Sequence, residues 1–238
     1  MSTRIAMWSG PRNISTAMMR SFENRADTVV VDEPFYACYL HSTGIHHPMN
    51  EEIIASQSTD WAAVAAALTD DRDNTPIVYQ KQMTHHMLPG IDLAWTRSLR
   101  NCFLIRDPKY VVSSYVRKRD SVNQDDIGIR RQYELYLELS ELTDQDIPVI
   151  DSKQFLLDPE SGLRRLCQRL NIPFSQKMLT WPGGRRASDG VWAAHWYEAV
   201  EHSTGFQAFT APKVCLSAEQ QDIVDAANHY YGLLLARC

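Results

Sequence analysis

No two of the five cysteines, Cys38, Cys102, Cys167, Cys215 and Cys238, form a CxxC pair. The odd, scattered set excludes a stapled framework and a cysteine-built zinc site, and predicts reduced thiols in a cytoplasmic protein. No apolar run reaches the length of about 18 residues that spans a bilayer, and Met1-Ser-Thr-Arg4 opens without the apolar core of a secretory signal. No membrane partner is therefore expected. Positive charge is scarce too: 24 lysines and arginines face 29 aspartates and glutamates, leaving a net charge of -5. Such a field does not recruit nucleic acid, so any anion site has to be local. Arg185 and Arg186 are only two charges, without the aromatic-interleaved basic stripe of an RNA-binding surface. His46 and His47 make no ligand pattern with a cysteine, and no metal is expected. Repeats and low-complexity linkers are missing as well.

What remains is 238 residues, 44% hydrophobic, which suits one domain with a sizeable core. Five short apolar runs read as strands: Arg4–Trp8, Thr28–Asp32, Pro76–Gln80, Asn101–Arg106 and Ile147–Asp151. Helical spacing appears at Trp61–Leu68, at Pro108–Lys118 and at Asp126–Leu142, where Ile129, Tyr133, Tyr136, Leu137 and Leu139 share a face. Asp158 followed by Pro159 opens another helix as N-cap and first helical residue. The alternation predicts an α/β domain with a doubly wound, mostly parallel central sheet flanked by helices, over residues 1–238. From about Trp181 the chain turns loop-rich and helical, closing with a helix over Ala218–Leu235.

In such a sheet, ligands sit beyond the carboxyl ends of the strands. After the first strand comes Ser9-Gly-Pro-Arg-Asn-Ile-Ser-Thr16, running into Ala17-Met-Met-Arg-Ser-Phe22 at helical spacing. A strand, a tight loop and a helix make a phosphate-binding frame, but a Walker loop would place Gly-Lys-Ser/Thr where this chain has Ser15, Thr16 and Ala17. Gly10, Arg12, Asn13, Ser15 and Thr16 are the candidates that remain: backbone N–H groups and hydroxyls donate to phosphate, and Arg12 supplies the missing charge in a bidentate form. A plainer reading makes Ser15 or Thr16 a helix cap and Arg12 a solvated residue.

The fourth strand leads into Phe103-Leu-Ile-Arg-Asp-Pro-Lys-Tyr-Val-Val-Ser-Ser-Tyr115. This stretch resembles the 3′-phosphate motif of sulfotransferases, R-[DN]-P with a serine eight positions after the arginine. The first loop resembles their 5′-phosphosulfate loop, and Asp158–Phe174 is similar to their late helix. Trp181–Tyr197 resembles a bacterial and plant branch of sulfotransferase-like P-loop proteins. The resemblance implies a P-loop-like three-layer fold and 3′-phosphoadenosine 5′-phosphosulfate (PAPS) as donor. It further implies sulfuryl transfer without a metal to a hydroxyl or amine of a small-molecule acceptor. Carried over residue by residue, Arg12, Ser15 and Thr16 hold the 5′-phosphosulfate and Arg106 and Ser114 the 3′-phosphate, with Arg185 or Arg186 closing over it. An ion pair of Arg106 with Asp107 or Asp151, and a helix-bound hydroxyl for Ser114, are the structural alternatives. Ile14 stands where the family loop has glycine, and Ser152 where many members have an aromatic residue; Trp8, Trp181 or Trp192 is left to stack on adenine or to fill the core.

Sulfuryl transfer needs a base near the acceptor and positive charge at the leaving phosphate. Glu33, after the second strand, resembles the catalytic glutamate of carbohydrate-type and several bacterial sulfotransferases. Tyr79–Pro89 resembles the Lys-Thr-His-Leu-Pro segment of the cytosolic small-molecule enzymes. Lys81 matches the lysine of that segment, whereas His85 and His86 follow it by four and five residues instead of two. Glu33 and His86 are equal candidates for the base, with His85 behind them; a capping role for Glu33 near Pro34 and a surface loop for the histidines are the alternatives. The acceptor pocket is expected between 38–59 and 183–197, with Phe35, Tyr36, Trp192 and Trp196 as apolar walls. Competing readings are a P-loop nucleotide kinase or hydrolase, disfavoured by the missing lysine and magnesium-binding hydroxyl, and a phosphoadenosine-binding protein that does not catalyse transfer. The acceptor and the oligomeric state are not legible in the sequence.

Overall fold

A computed structural model describes residues 2–70, 75–117 and 122–238. Five strands, β1 (Thr3–Ser9), β2 (Thr28–Asp32), β3 (Ile77–Met83), β4 (Arg100–Ile105) and β5 (Val149–Asp151), form one sheet. Their order is β2-β3-β1-β4-β5 and every neighbouring pair is parallel. The central strands β1 and β4 are buried on both faces and read as near-continuous apolar runs, whereas the edge strand β2 is partly exposed, Val29 most of all.

Pleating sends alternate side chains to opposite layers. In β1, Ile5 and Met7 enter one core and Ala6 and Trp8 the other; in β4, Cys102 and Leu104 oppose Phe103 and Ile105 in the same way. The first core is closed by α1 (Ser15–Glu23), α2 (Tyr36–Thr43) and α3 (Asn50–Ser56). On the opposite face lie α4 (Trp61–Thr69), α5 (Pro108–Tyr115), α6 (Gln124–Ile127) and α7 (Ile129–Thr143). Next come α8 (Ser152–Leu157), α9 (Pro159–Arg169), α10 (Ala193–Trp196) and α11 (Glu198–Glu201), of which α8, α9 and α10 bury residues in the first core. The last helix, α12 (Ala218–Leu235), returns to the second core through Val224, Ala227 and Leu234. Three layers result, as expected for a doubly wound domain.

Local chemistry starts these helices where the sequence places them. Asp60, Asp107, Asp151 and Asp158 accept hydrogen bonds from first-turn amides of α4, α5, α8 and α9, and α5 and α9 carry proline at their start. Ser217 and Gln220 form a capping box for α12. Two expectations are corrected. The helix predicted over 126–142 breaks at Gly128, whose φ of 68° only glycine adopts without strain. Its buried face runs through Ile129, Gln132, Leu135 and Leu139, while Leu137 is exposed. The helix after Pro108 ends at Tyr115, and Lys118 lies outside the described residues.

From β1 the chain crosses to β2, returns through β3, then passes β1 again to β4 and β5. The winding reverses at β1, so the crevice beyond its carboxyl end is the switch point where such sheets bind ligands.

Candidate active site

Arg12 adopts a left-handed backbone conformation, with φ 54°, that costs an arginine roughly 1–2 kcal/mol. Arg106, from the end of β4, donates from Nη1 to the Arg12 carbonyl and fastens the turn. Arg12 Nε in turn donates to Ser114 Oγ at 3.0 Å, and its guanidinium lies 5.9 Å from the ring centre of Trp196. Asn13 braces the loop: Nδ2 donates to the Leu104 carbonyl at 3.0 Å and Oδ1 accepts from the Ile14 amide at 2.8 Å. Its side chain is thereby committed to the loop itself. α1 then starts at Ser15 without a side-chain cap, leaving its first turn of N–H groups for an anion.

The ion pair considered for Arg106 does not form. Asp107 caps α5 and pairs with Lys109 at 3.2 Å, while Asp151 caps α8 and accepts from Tyr231 at 2.7 Å. Neither Arg12 nor Arg106 has a carboxylate partner among the described residues. Burial, followed by the charge of Arg117, pulls the Arg12 pKa below its ordinary value; burial, then Arg12 and Arg117, does the same to Arg106. Half-buried cations crowded together without a carboxylate ion pair, the more distant Asp107 offsetting Arg106 only in part, are a site for an anion.

Across the crevice, strand register makes a second cluster. Asp32 is the neighbour of Lys81 in the β2–β3 ladder, which brings their side chains together on one face. Lys81 Nζ lies 2.9 Å from Asp32 Oδ1 and 2.5 Å from Glu33 Oε1, and also donates to the Tyr197 hydroxyl. That hydroxyl donates to Asp32 Oδ2 at 2.7 Å and accepts from Trp192 Nε1 at 3.2 Å. Glu33 has a left-handed backbone, φ 42°, held by its amide's bond to the Lys81 carbonyl at 2.9 Å. Its carboxylate faces Lys81 and caps no helix; α2 has no side-chain cap. Burial raises the Glu33 pKa against the opposing pull of Lys81. For Lys81, burial lowers the pKa, but Asp32 and Glu33 outweigh it and hold the ammonium charged.

His85 and His86 sit in a 3₁₀ turn immediately after β3 and are not on an exposed loop. His86 is 1% exposed, stacked between Tyr36, with ring centres 4.4 Å apart, and Tyr39, at 5.0 Å. Its Nε2 is 4.0 Å from Glu33 Oε2. Burial drives both imidazoles toward the neutral form, His85 to a pKa of about 3 and His86 well below its usual value.

One cavity of about 380 Å³ joins the two clusters. Arg12, Asn13, Ser15, Thr16, Arg106 and Ser114 line it together with Glu33, Lys81, His85 and His86. Three expected members are elsewhere. Gly10 backs onto the α6–α7 junction, where a Cβ would meet the Ile127 carbonyl at 3.4 Å. Arg185 lies 3.4 Å from Glu201, and Arg186 donates to the Pro182 carbonyl at 3.0 Å, both outside the cavity. The late loop is instead pulled inward by Asp189, which pairs with the buried Arg20 at 2.6 Å. Trp8, Trp181, Trp192 and Phe35 are core residues, whereas Tyr36 and Trp196 do line the cavity. The sequence reading placed Tyr197 in the expected pocket wall but gave no role to it or to Asp32, and it missed the wall formed by Val200 and Phe206. The acid ending the second strand was a visible signal for Asp32; nothing local marked the others.

Among the described residues no group of three or more His, Cys, Asp or Glu side chains is placed to hold a metal ion, and no helix is long and apolar enough to cross a membrane. Branched-chain-amino-acid aminotransferase-like proteins 1 and 2 of Arabidopsis thaliana are 31% and 32% identical over 97% and 98% of this chain. Each match covers 41% of the relative, so the chain spans about two-fifths of the length of these curated relatives. In structure, the sulfotransferase domain from the curacin biosynthetic pathway is similar with a TM-score of 0.58 and 17% identity, covering 96% of this chain and 98% of that one. A sulfotransferase from Alicyclobacillus acidocaldarius is similar with a TM-score of 0.56 and 11% identity, over 100% of this chain and 94% of that one. A family model for the sulfotransferase domain matches residues 3–238. Matched from its third residue to its last, the chain belongs to the sulfotransferase family of transferases.

Proposed function

We propose that this domain transfers a sulfuryl group from PAPS to a hydroxyl or amine of a small-molecule acceptor. One observation carries the reading: a single cavity brings together arginines that form no carboxylate ion pair and a buried glutamate–lysine pair. Desolvated cations at a helix N-terminus fit the phosphates of the donor, and the volume falls within the range of small-molecule sites, about 300–1,000 Å³. Ser15, Thr16, Arg12 and the first-turn amides of α1 would hold the 5′-phosphosulfate, Arg106 and Ser114 the 3′-phosphate. Bound there, the donor supplies an activated sulfuryl group.

The remaining work falls to this chain's own residues. Lys81, kept charged by Asp32 and Glu33, offers positive charge where the leaving phosphate gathers electrons. Glu33 is the better base: burial moves its pKa upward toward the working range, whereas burial makes His86 reluctant to accept a proton. Tyr197 and Asp32 fix the ammonium.

The test is PAPS turnover over a panel of alcohols, phenols and amines, followed by release of the desulfated nucleotide, PAP. Glu33→Gln should bind PAP within about threefold of wild type yet lose roughly 10²–10⁴ in turnover. Transfer undiminished in that variant removes Glu33 as the base. Hydrolysis of magnesium-ATP without PAPS turnover would favour the kinase or hydrolase reading, and PAP binding without any transfer the non-catalytic one.

A further inference from the structure

The His86 ring carries information about the acceptor itself. Its Nδ1 is buried among protein atoms with no hydrogen-bond partner. An orphaned N–H in that position costs more than a bare lone pair, because buried donors are almost always satisfied while acceptors tolerate neglect better. A neutral imidazole has one proton, so it resides on Nε2, the nitrogen that faces Glu33.

The 4.0 Å between His86 Nε2 and Glu33 Oε2 is too long for a direct hydrogen bond. It suits one atom placed between them: contacts of about 2.8 Å to each side subtend roughly 90° at that atom, open enough for two hydrogen bonds. The bridging atom must accept from Nε2–H and donate to the carboxylate while keeping a lone pair for attack on sulfur. A hydroxyl oxygen has two lone pairs and one proton, which meets all three demands. A neutral amine nitrogen has a single lone pair and cannot both accept from Nε2–H and attack; an ammonium has none.

Resting on the proposed sulfuryl-transfer reading, we infer that the acceptor is a hydroxyl compound, its oxygen seated between His86 Nε2–H and Glu33 Oε2, and that His86 is the donor that aims this oxygen. One oxygen lone pair accepts from His86, and the other forms the new O–S bond. The hydroxyl proton passes to Glu33 Oε2, and the bond from sulfur to the phosphate oxygen breaks with its electron pair leaving on that oxygen. Tyr36, Leu156, Val200 and Phe206 line the same cavity, so the body carrying the hydroxyl is apolar or aromatic.

The test joins two measurements on the same protein. Nitrogen-15 spectra of histidine-labelled wild type, with His86→Ala to assign the resonance, report the tautomer. Matched probes, phenol against aniline and benzyl alcohol against benzylamine, are offered with PAPS. The expected result is a neutral Nε2–H ring for His86 between about pH 5 and 8, and a preference for the hydroxyl member of each pair of at least about tenfold in kcat/KM. His86→Gln, whose amide carries an N–H donor, should retain more kcat than His86→Ala, with KM for PAPS unchanged in both. A ring protonated on Nδ1, a cationic ring, or amines sulfated as fast as their hydroxyl partners overturns the inference. If no probe is turned over, an Nε2–H ring still supports His86 as the donor that faces Glu33, and an Nδ1–H or cationic ring still overturns the inference. PAP titration of the labelled sample separates the causes: bound PAP with the wrong tautomer sinks only this inference, whereas failure to bind PAP sinks the donor reading beneath it.

Discussion

Arg106→Ala is expected to weaken PAP binding without weakening the protein. In the free domain Arg106 is half-buried beside Arg12 and within the field of Arg117, and each guanidinium is depressed first by burial and then by like charge. Removing it relieves that repulsion but gives up the charged donor's bond to the Arg12 carbonyl, a contribution of about 1.5–3 kcal/mol before that relief is set against it. The two effects oppose each other, so the melting temperature of the free protein should move by only a few degrees. With a phosphate bound, the lost contact is a charge-assisted hydrogen bond worth about 1.5–3 kcal/mol, or roughly 10- to 150-fold in affinity. Arg106→Lys should fall between, keeping the charge and losing the fork. Isothermal calorimetry with PAP reads the affinity, and a salt series should show the wild-type advantage shrinking as exposed charge is screened. Affinity for PAP within twofold of wild type in Arg106→Ala would refute the assignment of this arginine to the 3′-phosphate.

Tyr197→Phe should lower stability by about 1–3 kcal/mol, because Asp32, Lys81 and Trp192 each lose a buried partner. For a chain of this size that is a fall of roughly 2–12 °C in Tm by calorimetry, and an unchanged Tm would mean the network does not hold Lys81 in place. Acid stability follows from His85. Its folded pKa of about 3 lies below the ordinary 6.5, so the unfolded chain takes up a proton that the folded one refuses. The stability tied to this neutral ring is therefore complete above pH 6.5 and is lost as pH falls toward about 3. Urea denaturation from pH 7 to 4 should show a shallower acid decline in His85→Asn; parallel curves would contradict the burial of that ring.

Much of the sheet was legible because the signals were local. The apolar strands and the Asp158–Pro159 helix start act within one turn of chain, and the closing helix over Ala218–Leu235 shows by its own spacing. The same holds for the switch-point loop, where the missing Walker lysine pointed to Arg12. Where the reading went astray, a distant contact decided. Leu137 lies at helical spacing from Ile129 and Tyr133, yet the stripe packed against the sheet runs through Gln132, Leu135 and Leu139, on the other side of Ile129, and leaves Leu137 exposed. In the late loop two adjacent arginines drew attention, but the buried Arg20, far earlier in the chain, selects the acid Asp189 and leaves both outside. Tyr197 meets Asp32 across 165 residues, a pairing no spacing rule anticipates. His85 and His86 look like a polar loop in sequence, and only the stacking of Tyr36 and Tyr39 on His86 and the edge-on contact of Tyr39 with the half-buried His85 draw them inward.

The most direct test of the donor site is calorimetric titration of the purified protein with PAP, set beside magnesium-ATP and adenosine monophosphate. PAP binding that exceeds both controls, and that is lost with Arg106, is the predicted result, because only PAP offers phosphates to both arginine-bearing loops. No binding of PAP, or a preference for magnesium-ATP, would contradict the assignment of this cavity to PAPS.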